Sequence, residues 1–306
     1  MLRSVILRAS GDARVKSLVA TAPVSRNVVA RFVAGESVDD AVRATRGLVQ
    51  DGLRVSLDHL GEDTTNPGQA EATTKAYLSL LGRLADEGLT PGAEVSVKLS
   101  AVGQALDESL ATDNARSICE AAAGAGTTVT LDMEDHTTTD STLRIHRELQ
   151  QDFPSTAAVI QSYLRRSEAD CRDLTASGSR VRLCKGAYKE PDSVAFGSRG
   201  EVDRSYVRCL KVLMHGSGYP MVATHDPRLV SIAGALVRGL GREPGSYEYQ
   251  MLYGVRPDEQ RRLVGTGETV RVYLPYGDEW YGYLMRRLAE RPANVTFFLR
   301  ALATKS

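Results

Sequence analysis

Tyr283-Leu284-Met285-Arg286-Arg287-Leu288-Ala289-Glu290, near the end of the 306-residue chain, sets two adjacent arginines between a tyrosine and a glutamate. At 3.6 residues per turn, Tyr283, Arg286, Arg287 and Glu290 share one helix face, with Leu284 and Leu288 on a neighbouring one. Two guanidiniums side by side repel each other unless an anion sits between or above them. Each planar fork matches a carboxylate or phosphate in two-point contact. A solvated helix end with Arg–Glu pairs would use the same residues, so the rest of the chain must decide between surface and site.

The totals exclude several classes. Lys+Arg equals Asp+Glu at 38 each, so no net field favours a nucleic acid or a polybasic membrane contact. Hydrophobic residues make up 42% and charged residues 25%, the balance of a soluble globular chain. No apolar run reaches the roughly 20 residues of a membrane span. The opening Met1-Leu2-Arg3-Ser4-Val5-Ile6-Leu7-Arg8 is charged too soon for a secretory signal. Cys119, Cys171, Cys184 and Cys209 form no CxxC pair, which reads as reduced thiols and a cytoplasmic protein.

The elements that must position the arginine pair follow a repeated unit. Period-2 patterns bounded by turns predict strands at 54–60, 94–100, 128–134, 157–162, 180–185, 221–225, 247–252 and 269–274. Segments with helical spacing lie between them, among them 71–87, 114–123, 142–151 and 202–215. Eight such units over about 225 residues are the size of a (β/α)8 TIM-type barrel, and no G-x-G-x-x-G turn supports a doubly wound sheet. Residues 1–52 read as an N-terminal helical segment packed on a barrel of residues 53–306. Ser37 caps one of its helices, Asp39 and Asp40 lie in the first turn, and Gly52 closes it. Residues 292–305 read as one more short helix.

Strand alternation then makes the barrel unusual. Val95, Val97 and Leu99 oppose Ser96, Lys98 and Ser100; Val129, Leu131 and Met133 oppose Thr130, Asp132 and Glu134. Val55 and Leu57 oppose Arg54, Ser56 and Asp58, and Val181 and Leu183 oppose Arg180, Arg182 and Cys184. The apolar sets must meet the helices, so the polar sets point into the lumen, which branched aliphatics fill in an ordinary barrel. Unpaired ions there cost several kcal/mol each, so Lys98, Asp132 and Arg182 must pair with one another or with a ligand. Gln161, His225, Gln250 and Tyr273 end other strands at the same mouth, where barrel active sites are built.

Three chemistries could use that mouth. His59, His136, His225, Asp132 and Glu134 are possible metal ligands, although no H-x-H or H-E-x-x-H spacing organises them. Lys98 or Lys185 could form a Schiff base, against which a nearby Asp132 would hold the lysine charged. An organic cofactor could lie across the mouth, with the arginine pair gripping the acid group of a substrate.

With these residues in place, the chain resembles the flavin-dependent proline dehydrogenases, in their monofunctional bacterial form. The resemblance runs from about Val55 to Leu302 on ordered blocks: Val95-Ser96-Val97-Lys98-Leu99-Ser100, Leu131-Asp132-Met133-Glu134, Val159-Ile160-Gln161-Ser162-Tyr163, Val181-Arg182-Leu183-Cys184-Lys185-Gly186-Ala187-Tyr188, Ala223-Thr224-His225-Asp226, Tyr247-Glu248-Tyr249-Gln250-Met251-Leu252-Tyr253-Gly254, Val270-Arg271-Val272-Tyr273-Leu274-Pro275-Tyr276-Gly277, and Tyr283 to Glu290. It implies a distorted barrel with a final helix over the C-terminal mouth and FAD lying across that mouth. Met133, Gln161, Arg182, Lys185, Gly186 and Ala187 would touch the flavin, and Thr224 and His225 the nucleotide end. No metal is implied.

By the same resemblance the substrate is L-proline, oxidised to 1-pyrroline-5-carboxylate, with electrons passing to a membrane quinone. Arg286, Arg287 and Lys98 would neutralise its carboxylate, and Leu252, Tyr273 and Tyr283 would wall its ring. Asp132 and Arg182 are the expected catalytic residues, Asp132 and Glu290 serving as partners that fix the basic groups. Arg182, at the top of the fifth strand, would stand beside flavin N5 and stabilise charge developing there. A separate pyrroline-5-carboxylate dehydrogenase would take the product, no nucleic acid is involved, and the enzyme would sit in the cytoplasm or on the inner face of the cell membrane. Leu252-Tyr253-Gly254-Val255 departs from the histidine-and-methionine segment of the bifunctional relatives.

Overall fold

A computed structural model describes residues 29–61 and 64–290 of the chain. Eight parallel strands close into a barrel in chain order: β1 (Arg54–His59), β2 (Ala93–Lys98), β3 (Val129–Asp132), β4 (Ala157–Gln161), β5 (Arg180–Cys184), β6 (Tyr219–Ala223), β7 (Glu248–Leu252) and β8 (Val270–Tyr276), which pairs with β1. The expected (β/α)8 architecture is therefore present. β6 starts two residues before the sequence pattern suggested and ends at Ala223, so Thr224 and His225 lie in the turn that follows.

The helices are α1 (Val38–Gln50), α2 (Pro67–Asp86), α3 (Glu108–Gly124), α4 (Thr139–Asp152), α5 (Ser167–Ala176), α6 (Arg199–His215), α7 (Pro227–Leu240), α8 (Pro257–Gly265) and α9 (Trp280–Glu290). Local chemistry sets several starts. Ser37 and Asp40 form a reciprocal capping box on α1, and Asn66 and Asp226 cap α2 and α7 ahead of a proline in the first turn. The outward strand residues Val55, Leu57, Val95, Val97, Val129 and Leu131 are fully buried against Tyr77, Leu80, Leu81, Leu84 and Ile118 of α2 and α3. Each large side chain buried this way contributes roughly 1.5–3 kcal/mol, which is what closes the helix ring on the barrel.

The distortion lies at the seam. α1 packs against β8 and β1, covering the part of the outer layer that the eighth helix covers in a regular barrel. α9 packs instead with Phe32, Val33 and Leu60, and with Val255. Leu60 follows β1 and Val255 follows β7, so α9 sits at the C-terminal rim. Gly277 makes this possible: its φ of 121° is open to glycine, and a Cβ there would come within 3.2 Å of the Leu60 carbonyl oxygen. Trp280 Nε1 then donates to Glu36 Oε1 at 2.8 Å, tying α9 to the segment that precedes α1. The expected helix over 292–305 lies outside the described residues.

Candidate active site

The lumen is built in polar layers. Deepest, near the strands' N-terminal ends, Glu94 of β2 accepts from Arg180 Nη2 (2.9 Å), Thr130 Oγ1 (2.8 Å) and Ser56 Oγ (3.2 Å), with Arg271 Nη1 at 3.5 Å. Arg271 also closes on Glu248, Nε to Oε1 at 2.7 Å and Nη2 to Oε2 at 3.1 Å. Burial pushes the Glu94 carboxyl up, but the guanidiniums of Arg271, Arg180 and Arg182 outweigh it and hold it at about 2. A carboxyl depressed from its ordinary 4.5 to about 2 adds stability that is complete above pH 4.5 and lost as the pH falls toward 2. Denaturant midpoints should therefore fall across that window in the wild type. Glu94→Gln should flatten that part of the profile and cost about 3–5 kcal/mol at neutral pH, because Arg180 loses its carboxylate partner and Arg271 and Arg182 each lose a neighbouring buried charge.

Arg182 forms the next layer. Its Nε donates to Gln250 Oε1 at 2.5 Å, Nη1 to Asp132 Oδ1 at 2.7 Å and Ser96 Oγ at 2.8 Å, and Nη2 to Ser56 Oγ at 2.9 Å. Four of its five N–H donors thus reach acceptors on β7, β3, β2 and β1. The residue is 4% exposed. Contrary to expectation, Arg182 is not at the top of β5 but third of its five residues. Inward positions fall at 180, 182 and 184, and the terminal inward residue is Cys184. The guanidinium consequently lies beneath the mouth, crossing the barrel.

At the mouth, Lys98 Nζ donates to both oxygens of Asp58 at 2.7 Å. The expected grouping of Lys98, Asp132 and Arg182 therefore splits, Asp132 joining Arg182 and Asp58 joining Lys98. Tyr273 OH donates to Asp132 Oδ2 at 2.7 Å, and its ring lies 5.3 Å from the Arg182 guanidinium. Burial, and then the charge of Asp132, raise the Tyr273 hydroxyl far above its ordinary range, so it remains a donor. Asp58 is 1% exposed and holds the Lys98 ammonium through both oxygens, so its loss removes a buried charge partner. Asp58→Ala is expected to cost about 3–5 kcal/mol in chemical denaturation, and the Asp58→Leu/Lys98→Met pair much less.

The remaining expected residues line one side of the same rim. Gln161 Nε2 donates to the Glu134 carbonyl at 2.5 Å, and the Glu134 carboxylate accepts from Ser100 N and Oγ at 3.1 and 2.6 Å. Met133 is buried in the turn after β3. Lys185 Nζ reaches Asp203 Oδ1 at 2.6 Å and Asp226 Oδ2 at 3.0 Å, and Arg228 bridges the same two carboxylates. Gly186, next to Ala187, has φ 105°, and a Cβ there would overlap the Tyr163 ring at 2.3 Å. Thr224 Oγ1 accepts from Asp226 N at 3.1 Å, and His225 Nε2 from Leu252 N at 2.9 Å. Tyr253 packs against the core clusters, so the departure at 252–255 turns a side chain away from the mouth.

On α9, Tyr283 is buried and the Arg287 guanidinium lies 5.1 Å from the centre of its ring. The side chains of Arg286 and Glu290 lie outside the described residues. The histidines do not converge: His59 packs edge-on against Tyr77 and Tyr276, and His136 pairs with Glu190. Among the described residues no group of three His, Cys, Asp or Glu side chains is placed to hold a metal ion.

Alternation had already turned Asp58 inward without giving it a partner, and Glu94, Glu248 and Arg271 were given no inward place at all. Asp58, Glu94, Glu248 and Arg271 all obey the strand alternation that exposed Lys98 and Arg182. Glu248 is two residues before Gln250, and Arg271 two before Tyr273, so the period-2 signal was present.

The model of the family described as "Proline dehydrogenase" matches residues 41–300. The chain is 40% identical over 281 residues to the proline dehydrogenase of Deinococcus radiodurans, covering 90% of each chain. It is 36% identical over 305 residues to proline dehydrogenase 1 of Bacillus subtilis, covering 100% of both. In fold it is similar to the crystal structure of proline utilization A from Bdellovibrio bacteriovorus inactivated by N-propargylglycine, with a TM-score of 0.81 and 24% identity. That likeness covers 93% of this chain and 38% of the larger protein.

Proposed function

The chain belongs to the proline dehydrogenase family, and from that premise we propose that it binds FAD over the C-terminal mouth of the barrel and oxidises L-proline to 1-pyrroline-5-carboxylate. The observation that carries this reading is a guanidinium held beneath the mouth, with a helix that bears two arginines in sequence packed at its rim. Arg182 is clamped in the lumen beneath it, and the α9 arginines lie on the helix at its rim.

The donor set along the ends of β4, β5 and β6 suits a dinucleotide. The amide of Gln161 and the ammonium of Lys185 match the acceptors of a flavin ring, and Thr224 and His225 the nucleotide end. Met133, Gly186 and Ala187 supply apolar and backbone contact beside them. When bound, FAD supplies the two-electron acceptor that the side chains of this protein lack. Arg286, Arg287 and Lys98 bind the proline carboxylate. Leu252, Tyr273 and Tyr283 wall the pyrrolidine ring, holding its C5 in one orientation. Remote binding of this kind lowers the barrier by fixing geometry before the chemical step. Asp132 holds Arg182 and receives the Tyr273 hydroxyl, so it positions both. The amine of proline reacts in its neutral form.

Both oxygens of the Asp58 carboxylate accept from Lys98 Nζ at 2.7 Å, which engages the amine and speaks against a Schiff base there. A membrane quinone takes up the electrons, a separate dehydrogenase consumes the pyrroline carboxylate, and the enzyme works in the cytoplasm or against the inner membrane face. Anaerobic addition of L-proline to the purified protein tests the reading. Flavin absorption should bleach with proline and persist with hydroxyproline or glutamate; a preparation that cannot take up FAD, or is not bleached, would overturn it.

A further inference from the structure

The charges beneath the mouth form a closed circuit. Arg182 Nε donates to Gln250 Oε1 at 2.5 Å, and Gln250 Nε2 donates to Glu248 Oε1 at 2.6 Å. Glu248 is held by two bonds from Arg271, and Arg271 faces Glu94 at 3.5 Å. Glu94 accepts from Ser56 Oγ at 3.2 Å, and Ser56 Oγ accepts from Arg182 Nη2 at 2.9 Å, which returns to the start. Ser56, Glu94, Arg182, Glu248, Gln250 and Arg271 are each at most 4% exposed.

Gln250 is the joint of this circuit. A guanidinium only donates and a carboxylate only accepts, so a neutral amide between them has one possible orientation. Its carbonyl must face Arg182 and its NH2 must face Glu248. No other common side chain of that length offers an acceptor at one end and a donor at the other without adding charge. The amide is itself anchored, because Glu248 is pinned by the bidentate Arg271.

We propose that Gln250 is a positioning residue for the oxidation, fixing the Arg182 guanidinium beneath the mouth and tying it to the Glu248–Arg271–Glu94 ion pairs. This rests on the reading that FAD occupies the mouth. A preorganised cation stabilises arriving negative charge without reorganising when the electrons move. Gln250 keeps it preorganised: Ser56, Ser96 and Asp132 bind the two Nη atoms, and among the described residues Gln250 alone takes Nε and so sets the tilt of the plane.

The test uses the FAD-loaded protein and sulfite, whose affinity for a bound flavin rises with positive charge near the ring. Gln250→Met should raise the sulfite dissociation constant and lower kcat, each by about tenfold or more, as one charge-assisted hydrogen bond is lost. KM for proline should move by less than about threefold, because the carboxylate grip is untouched. Gln250→Glu keeps the acceptor and adds an anion beside Arg182, so it should weaken sulfite binding as well; it serves if the methionine variant does not fold. A purely structural role would lower the melting temperature and leave sulfite affinity unchanged. Sulfite binding and kcat within about twofold of wild type in either folded variant would overturn the inference alone. A wild-type holoenzyme that proline fails to bleach would overturn the functional reading, and this inference with it.

Discussion

Arg182→Lys is expected to lower kcat for proline oxidation by about 10²–10³-fold with FAD retained, the loss typical of removing one preorganised donor from a developing charge. The charge survives the exchange but the geometry does not. Arg182 reaches four acceptors on four strands through a planar fork, and an ammonium on a flexible stem cannot span Gln250, Asp132, Ser96 and Ser56 together. Asp132 would keep its bond from Tyr273, so the mouth retains part of its shape. KM for proline should change by less than about threefold, since the residues proposed to bind the carboxylate are elsewhere. Single-turnover flavin reduction, monitored by absorbance, separates this outcome from slow product release. A lysine variant with wild-type kcat would remove Arg182 from the chemistry.

The opposite split is expected at the other set of cations. Arg286→Met and Arg287→Met should each raise KM for proline, with FAD bound as in the wild type. Truncating one partner of a desolvated charge pair costs roughly 2–5 kcal/mol, which corresponds to a rise of about thirtyfold or more. Arg287 also sits over the Tyr283 ring, but losing a cation–π contact costs only about 0.5–2 kcal/mol, so the carboxylate term dominates. Steady-state kinetics with proline, and competition by a carboxylate that lacks an amine, measure the effect directly. An unchanged KM in both variants would end the assignment of α9 as the acid grip.

The two experiments probe one design from two sides. The cation locked below the mouth is expected to show in kcat and in sulfite affinity. The arginines of the helix at the rim are expected to show in KM. The Gln250 circuit links the first of these to the lumen charges, and the acid-stability window of Glu94 reports whether that circuit is intact.

Much of this was legible in the chain. Alternation along β1, β2, β3 and β5 is a local, period-2 property. It correctly placed Ser56, Lys98, Asp132 and Arg182 on the inner face, because apolar neighbours such as Val55, Val97, Leu131 and Leu183 had to meet the helices. Ser37 with Asp40 announced α1 for an equally local reason, since a capping box spans only four residues. The eight-unit rhythm carried the barrel.

Partnership was not local. That Lys98 takes Asp58 rather than Asp132, that Arg182 lies mid-strand and reaches Ser56 across 126 residues of sequence, and that Arg271 closes on Glu248 depend on how eight strands stagger around the barrel. So does the exchange at the seam, where α1 covers β8 and β1 and α9 is released to the rim. The sequence by itself determined which side chains face inward, because facing depends on neighbours one and two positions away. Only the closed barrel decided which of them meet, because that depends on strand stagger and on reach across the lumen, and neither is written in any single segment.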